Sequence, residues 1–332
     1  MPRRPILTHL YPNWDLHRVI CTEYNLHQDL ATAKRQARMK GSSKMKLQLI
    51  HVAIGSLACL LASQANAQSI FPDKVLETAV RREVFEKRMN DQPIVEGDVP
   101  NISQVKHKGK EGQKITNLAG MEKCRSVAEV ALDFNEITDL TPLKDLKNIQ
   151  SLSLKGNKIK DLTPLAGLVN LQYLNLEGNE VTDLTPLAGL VNMRSLYLSR
   201  NKVTDIGPIA NMKKLWSLYL GGNQVTDLKP MAGLKDLDTI DLAYNQITDV
   251  SPLAELQPYR WLFLQKNQIK DISPLVAMAK KDSEGQKNFA PFWNVQLFGN
   301  PLSDAATNQQ VPELKKYSFP DRIDLKSDRK VP

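Results

Sequence analysis

The sequence predicts an α/β solenoid: a curved, right-handed superhelix with a parallel β-sheet on its concave face and short 3-10 or helical segments on its convex face. Three observations predict it. Asparagine recurs at a constant interval from Asn135 to Asn267. Apolar residues keep the same spacing around each asparagine, and a proline follows at a fixed distance, as Pro186 does after Asn179. One short coil cannot enclose a core, so a fixed period indicates coils that stack on one another.

The repeating unit has a recognisable frame. The unit that begins at Leu171 reads LQYLNLEGNEVTDLTPLAGLVN, and an eighth unit, FWNVQLFGNPLSD, follows an insertion. The frame L-x-x-L-x-L-x-x-N-x-I/V is the leucine-rich-repeat pattern. An asparagine amide both donates and accepts, so a stacked ladder is expected to satisfy backbone groups of neighbouring coils. The ladder residues are Asn135, Asn157, Asn179, Asn201, Asn223, Asn245, Asn267 and Asn300.

Each part of the frame has a physical explanation. Leu174 and Leu176 alternate with outward residues, which indicates a short strand with one buried face. Asp183 and Pro186 are typical of the start of a helical segment. The recurring aspartate also suggests calcium, but each is alone in its turn, without the several oxygen ligands that calcium requires. We therefore interpret the aspartates as helix caps and expect no metal and no cofactor.

The N-terminal part of the chain predicts export from a bacterial-type cell. Residues 45–67 combine a basic start, an apolar run from Leu47 to Leu61 and the small-x-small site Ala65-Asn66-Ala67. These are the parts of a secretory signal peptide, with cleavage expected after Ala67 and a secreted or periplasmic product. The apolar run is shorter than the ~20 residues of a membrane span, so the mature chain is expected to have none. Residues 1–44 indicate either a mis-assigned upstream start or an extended n-region.

Composition argues against several other functions. Residues 1–67 hold nine Lys/Arg against three Asp/Glu, so most of the net charge of +8 lies in the leader, which argues against nucleic acid as a partner. Downstream of the leader, Cys124 and His107 are the only Cys and His, a poor basis for a disulfide or a zinc site. No phosphate-binding loop, nucleophile elbow or HExxH motif is present, so we expect no enzyme.

The repeats divide the rest of the chain. We predict a helical N-terminal cap and degenerate first repeat over 68–126, with an amphipathic stripe within 71–90. About eight repeats follow over 127–304, and a C-terminal cap over 305–332 contains a short helix from Val311 to Tyr317 and a last strand from Arg322 to Leu325. The insertion at 276–291 is interpreted as a solvated loop on the helical side, with a second contact site as the alternative.

The phrases ITDLTPL, KDLTPLAGLVNL and VTDLTPLAGL resemble the 22-residue repeats of the internalin family. The segments FPDKVLETAV and KITNLAGME resemble that family's helical cap and first coil, so the resemblance covers about 71–305. It implies a curved secreted or surface protein that holds a partner on its concave face. No immunoglobulin-like domain or wall-sorting sequence is recognised after the repeats, so host-cell invasion is not implied.

Aromatic residues concentrate at the outward strand positions, although they are only 6% of the chain. The predicted partner-binding residues are Tyr173, Asn175, Tyr197, Tyr219, Asp241, Tyr244, Trp261 and Phe263, flanked by Trp216 and Trp293. Leu, Ile and Val already fill the core positions, and exposed aromatics mark surfaces that hold partners. A protein or peptide partner is our first hypothesis. A cell-wall or extracellular glycan and self-association in the envelope are alternatives, and simple stacking along the sheet also explains aromatic residues here.

Overall fold

Ten short parallel strands form one sheet within the part of the chain that the structure, a computed structural model, describes: residues 68–256, 260–285, 289–319 and 322–326. The predicted signal peptide and residues 1–44 lie outside these ranges. The strands are β1 (Gln104–Lys106), β2 (Glu129–Ala131), β3 (Ser151–Ser153), β4 (Tyr173–Asn175), β5 (Ser195–Tyr197), β6 (Ser217–Tyr219), β7 (Thr239–Asp241), β8 (Trp261–Phe263), β9 (Asn294–Gln296) and β10 (Ile323–Asp324). Each pairs with the next strand in sequence, which confirms the leucine-rich-repeat solenoid.

The register of the sheet follows the repeat. Leu174 lies opposite Leu152 on one side and Leu196 on the other, and all three are fully buried. Since alternate residues of a strand point to opposite faces, the first and third positions of the three-residue strands β1 to β9 lie on the outer face of the sheet, and Asp324 of β10 aligns with the third positions. We call this surface the sheet face.

Short 3-10 segments lie on the opposite side of the coils, and the frame aspartates support their starts. Asp183 accepts a hydrogen bond from the Thr185 N–H (2.8 Å) just before the segment Thr185–Leu187, and hydrogen bonds from Thr185 lower the pKa of its carboxyl. The 3-10 segments of the repeat region are Thr141–Leu143, Thr163–Leu165, Thr185–Leu187, Gly207–Asn211, Lys229–Met231, Ser251–Glu255 and Ala290–Phe292. Similar segments precede it at Phe85–Lys87, Glu96–Asp98 and Met121–Lys123.

The frame asparagines join consecutive coils. The Asn179 side chain is buried, its Oδ1 accepts from the N–H of Ile159 (3.0 Å), and its Nδ2 donates to the carbonyls of Leu154 (3.0 Å) and Leu176 (2.9 Å). In all eight frame asparagines the Oδ1 accepts from a backbone N–H of the preceding coil. These amides satisfy backbone groups that the apolar core would otherwise leave without partners.

At the N-terminal end, helix α1 (Lys74–Arg81) buries Leu76 and Val80 against the core. Asp73 caps it, because its Oδ1 accepts from the N–H groups of Val75 and Leu76, while its Oδ2 accepts from the Thr116 N–H (2.8 Å) of the first coil. The helix is shorter than the predicted stripe within 71–90. Strand β1 was not predicted, since its three residues carry too little pattern to be recognised.

The interpretation of 276–291 as a solvated loop was wrong for the residues described. Helix α2 (Ser273–Glu284) runs through this segment, and Leu275, Val276 and Ala279 are buried. The spacing of these apolar side chains gives the helix an inward side, and Pro274 favours its first turn. The inserted residues therefore lengthen a 3-10 segment into an α-helix that packs on the core.

The C-terminal end closes with a π-helical segment (Ala306–Gln310), helix α3 (Val311–Tyr317) and strand β10. The helix has the bounds expected from the sequence, and Leu314 on it is fully buried. Among the described residues, no helix has the length and apolarity required to span a bilayer.

Candidate functional site

The sheet face has two columns of side chains in register. The first strand positions carry Gln104, Glu129, Ser151, Tyr173, Ser195, Ser217, Thr239, Trp261 and Asn294. The third positions carry Lys106, Ala131, Ser153, Asn175, Tyr197, Tyr219, Asp241, Phe263, Gln296 and Asp324. In-register pairing therefore brings together side chains from equivalent positions of consecutive repeats.

Three tyrosines form a continuous row across β4, β5 and β6. The Tyr173 and Tyr197 ring centroids are 5.4 Å apart, and Tyr197 stacks on Tyr219 at 4.5 Å with an interplanar angle of 9°. All three rings are half-buried. Burial, with the nearby Tyr197 and Asp241, raises the pKa of Tyr219 to about 12, so its phenol stays protonated and can donate a hydrogen bond at neutral pH.

A second aromatic pair lies two strands further on. Trp261 and Phe263 stack on one another with centroids 5.6 Å apart, and Trp261 is half-buried. Phe263 is 0% exposed, which corrects the prediction that it offers an open contact surface. Its strand position is on the sheet face, but neighbouring side chains such as Trp261 cover it, so Phe263 supports the tryptophan rather than meeting a partner directly.

Asn175 and Asp241 occupy the same column and are both buried. The Oδ1 of Asn175 accepts from the N–H of Glu177 (3.0 Å), and the Oδ1 of Asp241 accepts from the N–H of Ala243 (3.0 Å). Burial raises the pKa of the Asp241 carboxyl to about 6, and the charge of Glu177 adds to this effect. A neutral amide at position 175 and an ionisable carboxyl at position 241 therefore make the same hydrogen bond.

The flanking residues differ in their exposure. Tyr244 is 47% exposed and Trp216 is 46% exposed, so both are open to contact at the borders of the sheet face. Trp293 is fully buried and meets Phe289 edge-on at 5.3 Å, which corrects its predicted place among the flanking aromatics. After the insertion Trp293 fills the core in place of Phe292, which is exposed although it aligns with the buried Leu171.

Ion pairs surround the aromatic residues. Lys155 pairs with Glu177 (2.7 Å), and Arg260 pairs with Asp238 (3.0 Å). Lys106 pairs with Glu129 (2.7 Å) at the N-terminal end of the face. The face therefore has both signs of charge at its borders and aromatic rings in its middle.

Phe134 was not among the site residues predicted from the sequence. Its φ is 59°, in the left-handed region, and the ammonium groups of Lys108 and Lys155 lie 5.1 and 5.9 Å from its ring centroid. A detectable signal existed: Phe134 occupies the frame position before the asparagine, which is Gly156 and Gly178 in the next two repeats. An exposed bulky residue in a left-handed turn is unusual, and such strain tends to occur at functional positions.

Cys124 is buried in the core. Burial raises the pKa of the Cys124 thiol to about 12, which leaves it an unreactive core residue. No group of three or more His, Cys, Asp or Glu in the described ranges is arranged to hold a metal ion.

Comparisons with known proteins agree with this geometry. The family described as Leucine Rich repeats (2 copies) matches residues 147–189, 169–211 and 213–255. Internalin C2 of Listeria monocytogenes is 37% identical, with a TM-score of 0.59 over 63% of this chain and 91% of that chain. The internalin InlF of the same organism is 30% identical, with a TM-score of 0.63 over 73% of this chain and 68% of that chain. Comparison with curated proteins gives no significant sequence match.

A leucine-rich-repeat protein of Leptospira interrogans also matches, at 23% identity and a TM-score of 0.54 over 64% of this chain and 58% of that chain. At this identity the likeness concerns the fold alone.

Proposed function

This chain belongs to the internalin family of leucine-rich-repeat proteins, and we propose that it is an exported, non-enzymatic protein that binds a protein or peptide partner on its sheet face. The observation that carries the proposal is the set of half-buried aromatic rings on the sheet face, the tyrosine row and the separate Trp261, at positions that the core does not need. Every coil beneath this row has its core filled by other, fully buried apolar side chains. Aromatic side chains in such a position contribute strongly to protein interfaces.

The ring geometry favours a protein partner over a glycan. Tyr197 and Tyr219 cover one another's faces at 4.5 Å, so their ring edges and hydroxyl groups are what a partner meets. A sugar ring needs an open aromatic face on which to lie, whereas a protein interface uses the edges and hydroxyl groups of tyrosine as well. Because stacking takes up one face of each of these two rings, binding of polysaccharide is the weaker hypothesis.

The test compares the full chain with a Tyr197→Ala/Tyr219→Ala/Trp261→Ala variant. Proteins captured by the wild type from cell envelope and culture medium are identified, purified and titrated against both forms. We expect the variant to bind the partner at least about tenfold more weakly. Phe85→Ala is the matched control, because it removes an exposed aromatic ring far from the sheet face in sequence. Equal affinity of wild type and triple variant would contradict the proposal.

The two alternative functions give different results in the same preparation. A glycan binder is retained on polysaccharide and released by free sugars, and the triple variant is not retained. A self-associating envelope protein changes its sedimentation with its own concentration, and the triple variant does not. Export is tested separately, since a reporter fused after residues 45–67 should be secreted with cleavage after Ala67.

A further inference from the structure

Asp241 is a buried carboxylate in the middle of the sheet face. Its side chain is 6% exposed, and in the register it lies between Tyr219 on β6 and Phe263 on β8. Thr239 on the same strand lies beside Trp261. Aromatic residues therefore border the carboxylate on both neighbouring strands.

Within the described residues, Asp241 has no basic partner. Its Oδ1 accepts one backbone hydrogen bond, from Ala243, and no ion pair in this part of the chain includes it. Two other acidic side chains of this region do have basic partners: Glu177 pairs with Lys155, and Asp238 pairs with Arg260. A buried charge without a partner is costly to the folded state, so its presence calls for an explanation.

The fold does not require this charge. Asn175 occupies the same column and makes the equivalent hydrogen bond, to the Glu177 N–H, at the same distance of 3.0 Å. An amide thus supports the turn as well as a carboxylate does. The coil therefore does not require the negative charge of Asp241.

The Asp241 carboxylate packs against the backbone of Gly221 in the preceding coil. A Cβ atom on Gly221 would lie 2.6 Å from the Asp241 Oδ2, so a side chain there would collide with the carboxylate. The next residue in this column is Ala243, which is also small. The small residues Gly221 and Ala243 therefore leave room for the buried carboxylate between two coils.

We propose that Asp241 receives a cationic group, the ammonium or guanidinium of a lysine or arginine side chain that the partner inserts between the tyrosine row and Trp261. The proposal rests on the function proposed above and names the chemistry of the partner. An ammonium or guanidinium forms a strong charge-assisted hydrogen bond with a carboxylate. Aromatic rings around it attract a cation further.

Protonation of Asp241 competes with such a ligand. The pKa of Asp241 is raised to about 6 by burial, and the charge of Glu177 adds to this effect. The carboxylates of Asp241 and Asp238 in turn raise the pKa of Tyr219. Tyr219 stays neutral, while Glu177 and Asp238 are held by Lys155 and Arg260. The affinity for a cation is therefore expected to fall as the pH decreases through about 6.

The test titrates the full chain with Nα-acetyl-lysine methylamide, followed by NMR. Nα-acetyl-norleucine methylamide is the matched ligand, because it keeps the aliphatic chain and lacks the charge. Asp241→Asn is the matched variant, because Asn175 shows that an amide keeps the turn. Asp145→Asn removes an equal charge from an exposed residue outside the strands. Thermal unfolding confirms that both variants are folded.

We expect the lysine derivative to shift the amide signals of residues 239–243 saturably in the millimolar range. The norleucine derivative should not shift them. Asp241→Asn should weaken binding at least about tenfold, Asp145→Asn should not, and binding should be weaker at about pH 5 than at about pH 7.5. Equal shifts from the norleucine derivative, unchanged binding by Asp241→Asn, or no shift up to about 50 mM would each overturn the proposal.

Binding of the purified partner to both variants distinguishes the cation site at Asp241 from the proposed function of the sheet face. If the triple aromatic variant loses the partner and Asp241→Asn retains it fully, the sheet face is the binding site and the cation site is wrong. If both variants retain the partner, the proposed function is wrong.

Discussion

The buried asparagines show how single residues hold consecutive coils together. The Asn201 Oδ1 accepts from the N–H of Val181 (3.0 Å), and its Nδ2 donates to the carbonyls of Leu176 and Leu198 (both 2.9 Å). Each of these backbone groups lies in the apolar interior. The amide therefore satisfies three buried groups at once, which no apolar side chain can do.

Asn201→Ala should lower the free energy of unfolding by about 2–4 kcal/mol, because it leaves these buried groups without partners. The control is Asn170→Ala, whose Nδ2 donates to the exposed carbonyl of Lys147, where water can replace it. That variant should lose less than about 1 kcal/mol. Urea denaturation measures both, and similar losses would show that the ladder has no special role.

Asp241→Asn should stabilise the protein at neutral pH by about 1–3 kcal/mol, because it removes a buried charge and keeps the hydrogen bond. The folded-state pKa of about 6 is above the ordinary value of 3.8. The free energy of unfolding of the wild type is therefore lowered above about pH 6, and this loss vanishes as the carboxyl is protonated towards about pH 4. Denaturation of both proteins across this range tests the sign. A difference that stays constant with pH would contradict it.

At the scale of the element, the residue before each frame asparagine, in the turns that follow β2 to β9, has a left-handed conformation. Glycine fills this position at Gly178 and Gly222, whose φ angles are 69° and 73°. Bulky residues fill it at Phe134 and Tyr244, with φ angles of 59° and 55°. The repeat tolerates the strain of a side chain there, and these residues border the sheet face.

The substitution Gly222→Ala measures the strain of a side chain in the left-handed conformation by itself. A Cβ on Gly222 makes only ordinary contacts, the nearest at 3.6 Å, so steric collision does not contribute. We expect a loss of about 1 kcal/mol from the left-handed backbone alone. Gly189→Ala is the control, since that glycine has no positive φ and nothing within 4 Å of the added atom. Thermal unfolding should show the control unchanged or more stable; equal losses would contradict the explanation.

At the scale of the whole molecule, one apolar core runs through the coils and is closed at both ends by helices. Helix α1 covers the first coil and helix α3 packs on α2 beside the last. In a stacked array each coil is stabilised mainly by its neighbours. Damage at one end should therefore remain largely local.

Leu314→Ala removes a fully buried side chain from α3 and should cost about 2–4 kcal/mol locally. Hydrogen exchange should show faster exchange of amides in β8 and β9, while amides in β3 and β4 stay protected. Leu152→Ala, a fully buried substitution in β3, should show the reverse pattern. Uniform loss of protection in both variants would show that the solenoid unfolds as one cooperative unit.

The sequence by itself determined the coil, its strand, its core positions and the frame asparagines, because each depends on a local pattern that recurs at a fixed spacing. It also indicated which side chains point outward from each strand, since alternation along a strand needs no knowledge of its neighbours. The tyrosine row follows from the same reasoning, once coils of equal length are stacked in register.

Only the tertiary structure decided how much of each outward side chain is open. Phe263 is covered and Tyr244 is exposed, although both were predicted to contact a partner. The insertion forms a buried helix, and Trp293 enters the core. These outcomes depend on side chains from adjacent coils, a full repeat away in sequence, and on the space those coils leave. A pattern within one repeat contains no information about that space.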